Sequence, residues 1–97
     1  MLLDISPAAE IDIDNIWFFG AKHWNVDQAD HYQSQLLDMM SFLCDHPSLA
    51  KCRDEIKLGY KSYAIGSHII FFVITEDTLR VIRVLHQRMD FIRHFNN

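Results

Sequence analysis

Residues that could act on a phosphodiester lie in the C-terminal half of the chain. Cleavage of RNA through its 2′-hydroxyl needs a base, an acid and cations that stabilise the charge of the transition state. Side chains of these types are Arg53, Lys57, Tyr60, Lys61, Tyr63, Arg80, Arg83 and His86. They are scattered over different predicted strands, and His86 is the obvious titrating group in the stretch 83–90. His86 is interpreted as a structural histidine that bonds the backbone or caps a strand end, with catalysis as the alternative.

Two arginines of the last predicted strand have a structural interpretation. Arg83 shares a predicted strand face with three apolar residues, so we expect a core-edge arginine paired with an acid such as Glu55 or Asp90. The alternative is a direct contact of Arg83 with a binding partner. Arg80 is expected to be solvated near a turn.

The chain ends in a basic and aromatic stretch that suits a binding surface. Arginine and aromatic side chains are enriched among the residues that dominate binding energy. We hypothesise that Arg88, Met89 and Arg93 contribute to contact with a target. The alternative, which is compatible with the first, is a C-terminal helix that packs Phe91 and Phe95 on a sheet.

The sequence predicts no cofactor and no metal site. The two cysteines, Cys44 and Cys52, do not form a disulfide framework. Together with His46 and a fourth ligand such as His31, their spacing matches no standard zinc finger or knuckle. We interpret them as reduced thiols, one of them buried. The chain also lacks a glycine-rich phosphate loop and a nucleotide-binding fingerprint.

Length and composition predict one domain over residues 1–97, with unevenly distributed charge. The net charge of −4 is the sum of −7 in residues 1–47, with eight acids and one base, and +3 in residues 48–97, with five acids and eight bases. The basic half would suit an acidic partner, although the charges could also simply solvate two surfaces. Since no apolar run reaches about 18 residues and the N-terminus does not resemble a signal peptide, we expect a cytoplasmic protein without a membrane contact.

The N-terminal half predicts a short strand followed by a helix. Residues 2–6 alternate weakly, and Ser6 and Pro7 are typical N-cap and first-turn residues of a helix. The helix carries an apolar stripe at spacings of three and four, formed by Ala9, Ile13, Ile16, Trp17, Gly20 and Trp24. Gly20 lowers helix propensity, so we expect a close approach of a second helix there.

A second helix is predicted to begin at Asn25, whose spacing to Gln28 is that of a capping box. Pro47 requires this helix to stop at about His46. Its apolar stripe consists of Val26, Ala29, Tyr32, Leu36, Met40 and Leu43. The very short turn between the helices predicts an antiparallel helical hairpin.

From about Ile56 the apolar period changes to two, after a stretch 47–55 that is predicted to be a loop. Gly66-Ser67 predicts a tight β-hairpin, and the continuous apolar run 69–74 predicts a central strand covered on both faces. In the last strand, 79–85, strict alternation places Leu79, Val81, Arg83 and Leu85 on one face and Arg80, Ile82, Val84 and His86 on the other. The predicted fold is α+β, an N-terminal strand and an antiparallel helical hairpin packed on a small antiparallel sheet. A short C-terminal helix could follow from about Met89.

The order and spacing of several motifs resemble the ParE branch of the RelE/ParE toxins. Ser6-Pro-Ala-Ala-Glu10 and Asp14-Asn-Ile-Trp17 resemble the first helix of that branch, Gly66 to Phe71 its central strand, and Arg83-Val-Leu-His-Gln-Arg-Met-Asp90 its closing motif. The resemblance covers nearly the whole chain. One difference is Lys61, at a position where relatives often carry arginine, so that the charge is kept and a bidentate contact is lost.

The resemblance implies the toxin of a type II toxin–antitoxin pair, which inhibits DNA gyrase by protein–protein binding and is not itself an enzyme. It implies neutralisation by a ParD-like antitoxin, a ribbon-helix-helix protein whose long tail wraps the toxin and through which alone the complex contacts DNA. Two alternatives remain, a ribosome-dependent mRNA endoribonuclease of the RelE type and a non-toxic co-repressor bound by its antitoxin.

Two sets of binding residues are predicted as hypotheses. Target contact is assigned to Arg83, His86, Arg88, Met89 and Arg93. Antitoxin contact is assigned to Trp17, Trp24, Tyr32, Lys61 and Tyr63.

Overall fold

The structure, a computed structural model, describes residues 1–95 as a five-stranded sheet with three α-helices. In chain order the elements are β1 (Leu2–Ile5), α1 (Pro7–His23), α2 (Val26–Asp45), β2 (Lys51–Cys52), β3 (Lys61–Ile65), β4 (His68–Thr75), β5 (Thr78–His86) and α3 (Phe91–Phe95). A 3-10 turn at Pro47–Leu49 follows α2. The strand order is β1-β5-β4-β3-β2. The predicted α+β fold, with a helical hairpin on a small sheet, is confirmed.

Two edges of the sheet differ from the prediction. The strand β1 pairs with β5 in parallel, with Leu2 opposite Thr78, so the sheet is mixed instead of wholly antiparallel. Parallel neighbours need a crossover connection, and the two helices are part of it. At the other edge, Lys51 pairs with Ser62, so the short β2 forms within a stretch that was predicted to be a loop. Alternation along one strand carries no information about the direction of its neighbour, which is why the parallel pairing of β1 was not predicted. The strand β2 has two residues, too few to show any alternation.

The helix caps form as predicted. The Ser6 hydroxyl accepts a hydrogen bond from Ala9 N–H at 3.1 Å, and the Asn25 side chain accepts one from Gln28 N–H at 2.8 Å. The helices approach closely at Gly20, where an added Cβ would lie 3.4 Å from the Cβ of Ala29. Local capping chemistry therefore sets where each helix begins.

The outer ends of both predicted apolar stripes are exposed. Trp24 is 67% exposed and Val26 is 52% exposed, whereas Ala9, Ile13 and Ala29 are buried. Trp24 is the C-cap residue of α1, with φ −124° and ψ −94°, so its side chain departs from the helical phase of the stripe. Trp24 therefore belongs to the predicted apolar stripe by its spacing and is not buried with it.

Apolar side chains cover both faces of the central strand β4. On the helical side, Ile70 and Phe72 are fully buried in a core with Leu36, Met40, Leu43, Leu79 and Val81. On the other side, Phe71 packs against the rings of Phe91 and Phe95, at centroid distances of 5.0 and 5.1 Å. The predictions of a two-faced central strand and of a C-terminal helix that packs these phenylalanines are both confirmed.

A β-bulge interrupts β5 at Ile82. Phe72 is opposite Val81 and Phe71 is opposite Arg83, so Ile82 has no partner residue on β4. Its carbonyl oxygen instead accepts a hydrogen bond from the Ser6 hydroxyl at 2.8 Å. An inserted residue reverses the alternation beyond it. Strict alternation placed Val81 and Leu85 on one face, and this is wrong because Val81 belongs to the helical-side core and Leu85 to the opposite cluster.

Candidate functional site

A groove of about 740 Å³ lies between the helical hairpin and the adjoining ends of β4 and β5. We call it the hairpin groove, and the lining residues that matter below are Phe19, Trp24, Tyr32, His68, His86 and Met89. Its size falls within the usual range of ligand sites, about 300 to 1,000 Å³. Apolar walls with a few polar groups at the bottom can hold an apolar ligand or side chain and fix its orientation through hydrogen bonds.

Tyr32 connects α2 to the β3–β4 turn through its hydroxyl. The hydroxyl donates to the carbonyl oxygen of Ile65 at 3.2 Å, accepts from Ser67 N–H at 3.2 Å, and its oxygen lies 2.7 Å from His68 Nδ1. A Cβ at Gly66, where φ is +55°, would lie 2.7 Å from the Tyr32 hydroxyl. Glycine thus lets the turn adopt a left-handed conformation and lets the tyrosine approach it. Burial raises the pKa of Tyr32.

The imidazoles of His68 and His86 pack edge to face at the bottom of the hairpin groove. Their ring centroids are 5.3 Å apart at an interplanar angle of 81°, and the bulge at Ile82 is what places the two residues in register. Desolvation lowers the pKa of His68, and the neighbouring His86 lowers it further. His86 Nδ1 accepts the backbone N–H of Arg88 at 3.1 Å, in agreement with its predicted role of bonding the backbone at a strand end.

Arg83 is paired with Asp12 on α1. The Nε and Nη2 atoms donate to the two carboxylate oxygens at 2.7 and 2.9 Å, and Val84 N–H donates to the same carboxylate at 2.9 Å. An acidic partner was predicted, but the acid is Asp12 and not Glu55 or Asp90. Glu55 pairs with Arg53 instead. Hydrogen bonding to Asp12 raises the pKa of Arg83. The spacing of the acids along α1 could not reveal this partner without the orientation of α1 on β5.

The other arginines considered for catalysis are also engaged in ion pairs. Arg80 is solvated, as predicted, and it also pairs with Asp4. Arg53 donates to Ser62 Oγ at 2.8 Å and pairs with Glu55 at 3.3 Å. Its guanidinium also lies within 6 Å of the Phe71 and Phe91 ring centroids, at 5.9 and 5.8 Å. Together with Arg83, these arginines are therefore held by three different acids at three separate places in the fold.

The five residues assigned to target contact do not form one surface. His86 and Met89 line the hairpin groove. Arg83 is held by Asp12, while Arg88 and Arg93 are exposed around α3. His86 and Met89 therefore belong to the hairpin groove, and the exposed Arg88 and Arg93 are available to a different partner.

The five residues assigned to antitoxin contact divide in a similar way. Trp24 and Tyr32 line the hairpin groove. Trp17 is half-buried and its indole N–H donates to Asp30 at 2.7 Å, which ties α1 to α2. Lys61 and Tyr63 lie on β3, separate from the groove lining.

An exposed aromatic cluster at the tip of the helical hairpin was not predicted. Phe18 is 66% exposed and Phe19 is 56% exposed, close to the exposed Trp24. Phe19 lies against His23 at 4.0 Å and against Trp24 at 6.0 Å between ring centroids. Both phenylalanines lie outside the predicted apolar stripe of α1. Their exposure could have been predicted from that position. Large exposed apolar side chains of this kind are typical of a binding surface.

Three findings on residues 1–95 concern metal ligands, cysteines and membrane-spanning helices. No group of three or more histidine, cysteine or acidic side chains within residues 1–95 could hold a metal ion. Cys44 is buried and Cys52 is exposed, and both are free. None of the helices described is long and apolar enough to cross a membrane.

Comparison with known proteins identifies the family. A model of the ParE toxin of the type II toxin–antitoxin system parDE matches residues 3–91. The chain belongs to the ParE toxin family. Toxin ParE1 of Mycobacterium tuberculosis is 40% identical over 91 residues, which cover 93% of each chain. Toxin ParE1 of Caulobacter vibrioides is 32% identical over 90 residues, again with 93% of each chain covered.

A solved structure shares the fold of this ParE-family chain. It is described as the chromosomal ParDE toxin–antitoxin system from P. aeruginosa, and it superimposes with a TM-score of 0.78. The match covers 89% of this chain and 95% of that one, at 14% identity. The agreement establishes that the helical hairpin and the sheet of the ParE fold are both present here.

Proposed function

We propose that this chain is the toxin of a type II toxin–antitoxin pair, that it acts in the cytoplasm by binding DNA gyrase, and that a ParD-like antitoxin neutralises it. The observation that carries the proposal is membership of the ParE toxin family over residues 3–91. A gyrase poison needs no covalent chemistry of its own, since binding that favours the cleaved state of the enzyme is sufficient.

The ion pairs that the arginines form favour a binding function over catalysis. Arg53, Arg80 and Arg83 each pair with an acid, at three separate places in the fold. A ribonuclease requires cations positioned together around one phosphate. The scattered arginines therefore favour the gyrase proposal over a messenger ribonuclease.

The exposed arginines around α3 suit the gyrase contact, and the hairpin groove suits the antitoxin. Arg88 and Arg93 are exposed, and arginine is a frequent anchor at protein interfaces. On the helical side, Trp24 and Tyr32 line a largely apolar groove that can hold the side chains of an amphipathic segment. We assign the two partners to these two surfaces.

A supercoiling assay tests the proposal. Purified toxin, freed of antitoxin, is incubated with gyrase, ATP and relaxed plasmid, and the products are separated on a gel. Inhibition with accumulation of linear DNA is expected, together with its reversal when the ParD-like antitoxin is added. An unaffected supercoiling reaction at a large excess of toxin would contradict the gyrase target, and cleavage of ribosome-bound messenger RNA would then identify the ribonuclease alternative. A chain that binds the antitoxin but neither inhibits supercoiling nor cleaves messenger RNA would be a co-repressor.

A further inference from the structure

The paired imidazoles at the bottom of the hairpin groove each present one ring nitrogen to a ligand. The hydrogen bonds of the described residues engage Nδ1 of His68 and Nδ1 of His86. Within residues 1–95 no buried side-chain nitrogen or oxygen lacks a partner. The two Nε2 atoms are therefore accessible, and both residues line the groove.

The contacts of the Nδ1 atoms set the tautomer of each ring. His86 Nδ1 accepts the N–H of Arg88, so the proton of the neutral ring must be on Nε2. The Tyr32 hydroxyl donates its one proton to the carbonyl oxygen of Ile65, which can only accept, so His68 Nδ1 is the donor in its 2.7 Å contact with the Tyr32 oxygen. The proton of the neutral His68 ring is therefore on Nδ1, and Nε2 becomes a donor when the ring takes up a second proton. With His68 protonated, both rings offer an Nε2–H donor to the same groove.

The charges around the two donors favour a carboxylate. The other titratable lining groups are Tyr32 and His31 on α2 and Asp12 on α1, and Asp12 is neutralised by Arg83. No lysine or arginine is among the described lining residues. A phosphate dianion or a nucleic-acid backbone requires permanent cations, whereas a single carboxylate can be bound by two imidazole donors.

The rest of the groove indicates where this carboxylate comes from. Phe19, Trp24 and Met89 form apolar walls around the imidazoles, so the carboxylate must belong to a molecule with apolar groups on both sides of it. A protein segment with an aspartate or glutamate between large apolar residues has this composition, and its acid complements the two donors.

We propose that His68 and His86 form a carboxylate-binding subsite in the hairpin groove, filled by an acidic side chain of a partner-protein segment whose apolar residues lie against Phe19 and Trp24. The inference rests on the proposed function in naming the antitoxin as this partner. It adds the chemistry by which the segment is recognised.

Binding of a carboxylate is linked to protonation of the pair. Burial and the neighbouring His86 lower the pKa of His68, and a carboxylate that accepts from the Nε2 atoms stabilises the protonated ring and raises this pKa. The complex then takes up protons, so that affinity increases as the pH falls. A rise of one pKa unit in the complex corresponds to roughly tenfold tighter binding at low pH.

Imidazole NMR with a matched pair of small probes tests the subsite. The probes are 4-phenylbutyrate and 4-phenylbutyramide, which differ in charge and share the apolar part. The carboxylate should shift the ring signals of both His68 and His86 and bind roughly three- to tenfold more tightly at a pH of about 6 than at about 8. The amide should shift them little. Equal effects of the two probes, or no effect on either ring, would overturn the subsite.

Two substitutions separate a proton-linked site from general apolar binding. His68→Gln keeps a side-chain donor and removes the ring whose protonation is linked to binding, so probe binding should lose most of its pH dependence. His31→Gln changes another histidine of the same groove and should retain it. Thermal denaturation confirms that both variants are folded. An unchanged pH dependence in His68→Gln would contradict the proposal.

A display experiment tests the protein origin of the carboxylate. Random 12-residue peptides are selected on the wild-type chain and on His86→Gln. Peptides with an aspartate or glutamate between apolar residues should be enriched on the wild-type chain alone. Enrichment without an acid, or equal enrichment on the variant, would overturn the assignment to a partner segment even where the phenylbutyrate result holds.

The antitoxin assay separates this inference from the proposed function. If the ParD-like antitoxin neutralises wild type and His68→Gln equally at pH 6 and 8, the function stands and the subsite is not used by the antitoxin. If the antitoxin does not bind and the NMR result holds, the subsite stands and the proposed partner is wrong.

Discussion

Asp12 holds α1 against β5 through three hydrogen bonds, two from Arg83 and one from the Val84 backbone. The side chains of Arg83 and Asp12 are 24% and 12% exposed, whereas those of Arg80 and Asp4 are 42% and 48% exposed. Removal of one member of a largely buried pair leaves the other charge uncompensated, while an exposed pair contributes little.

We therefore expect Asp12→Asn to lower the free energy of unfolding by about 2 to 3 kcal/mol, because Arg83 loses its counter-charge while it stays largely buried. The matched control Asp4→Asn should cost less than about 1 kcal/mol. Urea denaturation of both variants measures the difference. Equal losses would show that burial of the pair is not what makes it stabilising.

His68 should make stability depend on pH. Its pKa is lowered from the ordinary value of 6.5 by desolvation and by His86, so the unfolded chain binds a proton more readily than the folded one. Stability is then fully present above the unfolded-state pKa and is lost as the pH falls below it. Urea midpoints from pH 8 to 5 should decline less steeply in His68→Gln than in wild type. The exposed His46 serves as control, and His46→Gln should follow wild type.

At the scale of elements, α3 contributes a face to the core although it has five residues. Phe91 lies against Phe71, and the Arg53 guanidinium lies beside both rings. The neighbouring Ile92 is 53% exposed. The helix therefore covers the second face of β4 with Phe91 and Phe95, while Ile92 is exposed.

Phe91→Ala should accordingly destabilise the protein by about 2 kcal/mol, since it removes aromatic contacts from a buried ring. Ile92→Ala, in the same helix, should change the stability by less than about 0.5 kcal/mol. Thermal or urea unfolding gives both values. A similar loss in both variants would mean that α3 is stabilised by its helical backbone instead of by the phenylalanine.

At the scale of the whole molecule, the two proposed binding surfaces belong to different layers. The hairpin groove is formed on the helical side, and Arg93 lies on α3, which packs on the opposite face of the sheet. Substitutions on the two surfaces should therefore separate the two proposed interactions.

Phe19→Ala and Trp24→Ala should weaken antitoxin binding at least tenfold, because exposed aromatic anchors of an interface each contribute about 1 to 2 kcal/mol or more. They should leave inhibition of gyrase largely unchanged. Phe18→Ala is the matched control, since Phe18 is as exposed as Phe19 and does not line the groove. Calorimetric titration of the antitoxin into each variant measures the effect. Equal weakening by Phe18→Ala would indicate that the hairpin tip, and not the groove, is the antitoxin surface.

Arg93→Glu should show the converse behaviour. Arg93 is exposed and does not line the groove, so reversal of its charge should decrease inhibition of gyrase while antitoxin affinity is retained. The supercoiling assay and the same titration measure the two outcomes. Loss of antitoxin binding alone would reverse the assignment of the two surfaces.

The sequence by itself determined the elements whose signals are local. The caps at Ser6 and Asn25, the stop before Pro47 and the hairpin at Gly66-Ser67 all depend on residues a few positions apart. The packing of Phe91 and Phe95 on the sheet was also predicted. These features involve strong local preferences or large apolar side chains, and no distant residue reverses them.

The tertiary structure alone decided how the elements align and therefore what the groove contains. Without the bulge at Ile82, the register from Thr75 and Thr78 would place His68 opposite Leu85, whereas the shift by one residue places it opposite His86. The bulge is accommodated because the Ser6 hydroxyl binds the Ile82 carbonyl, across 76 positions of sequence. The pairing of Asp12 with Arg83 spans 71 positions. Such contacts depend on the simultaneous packing of α1, β1 and β5, which the periodicity of a single strand cannot predict.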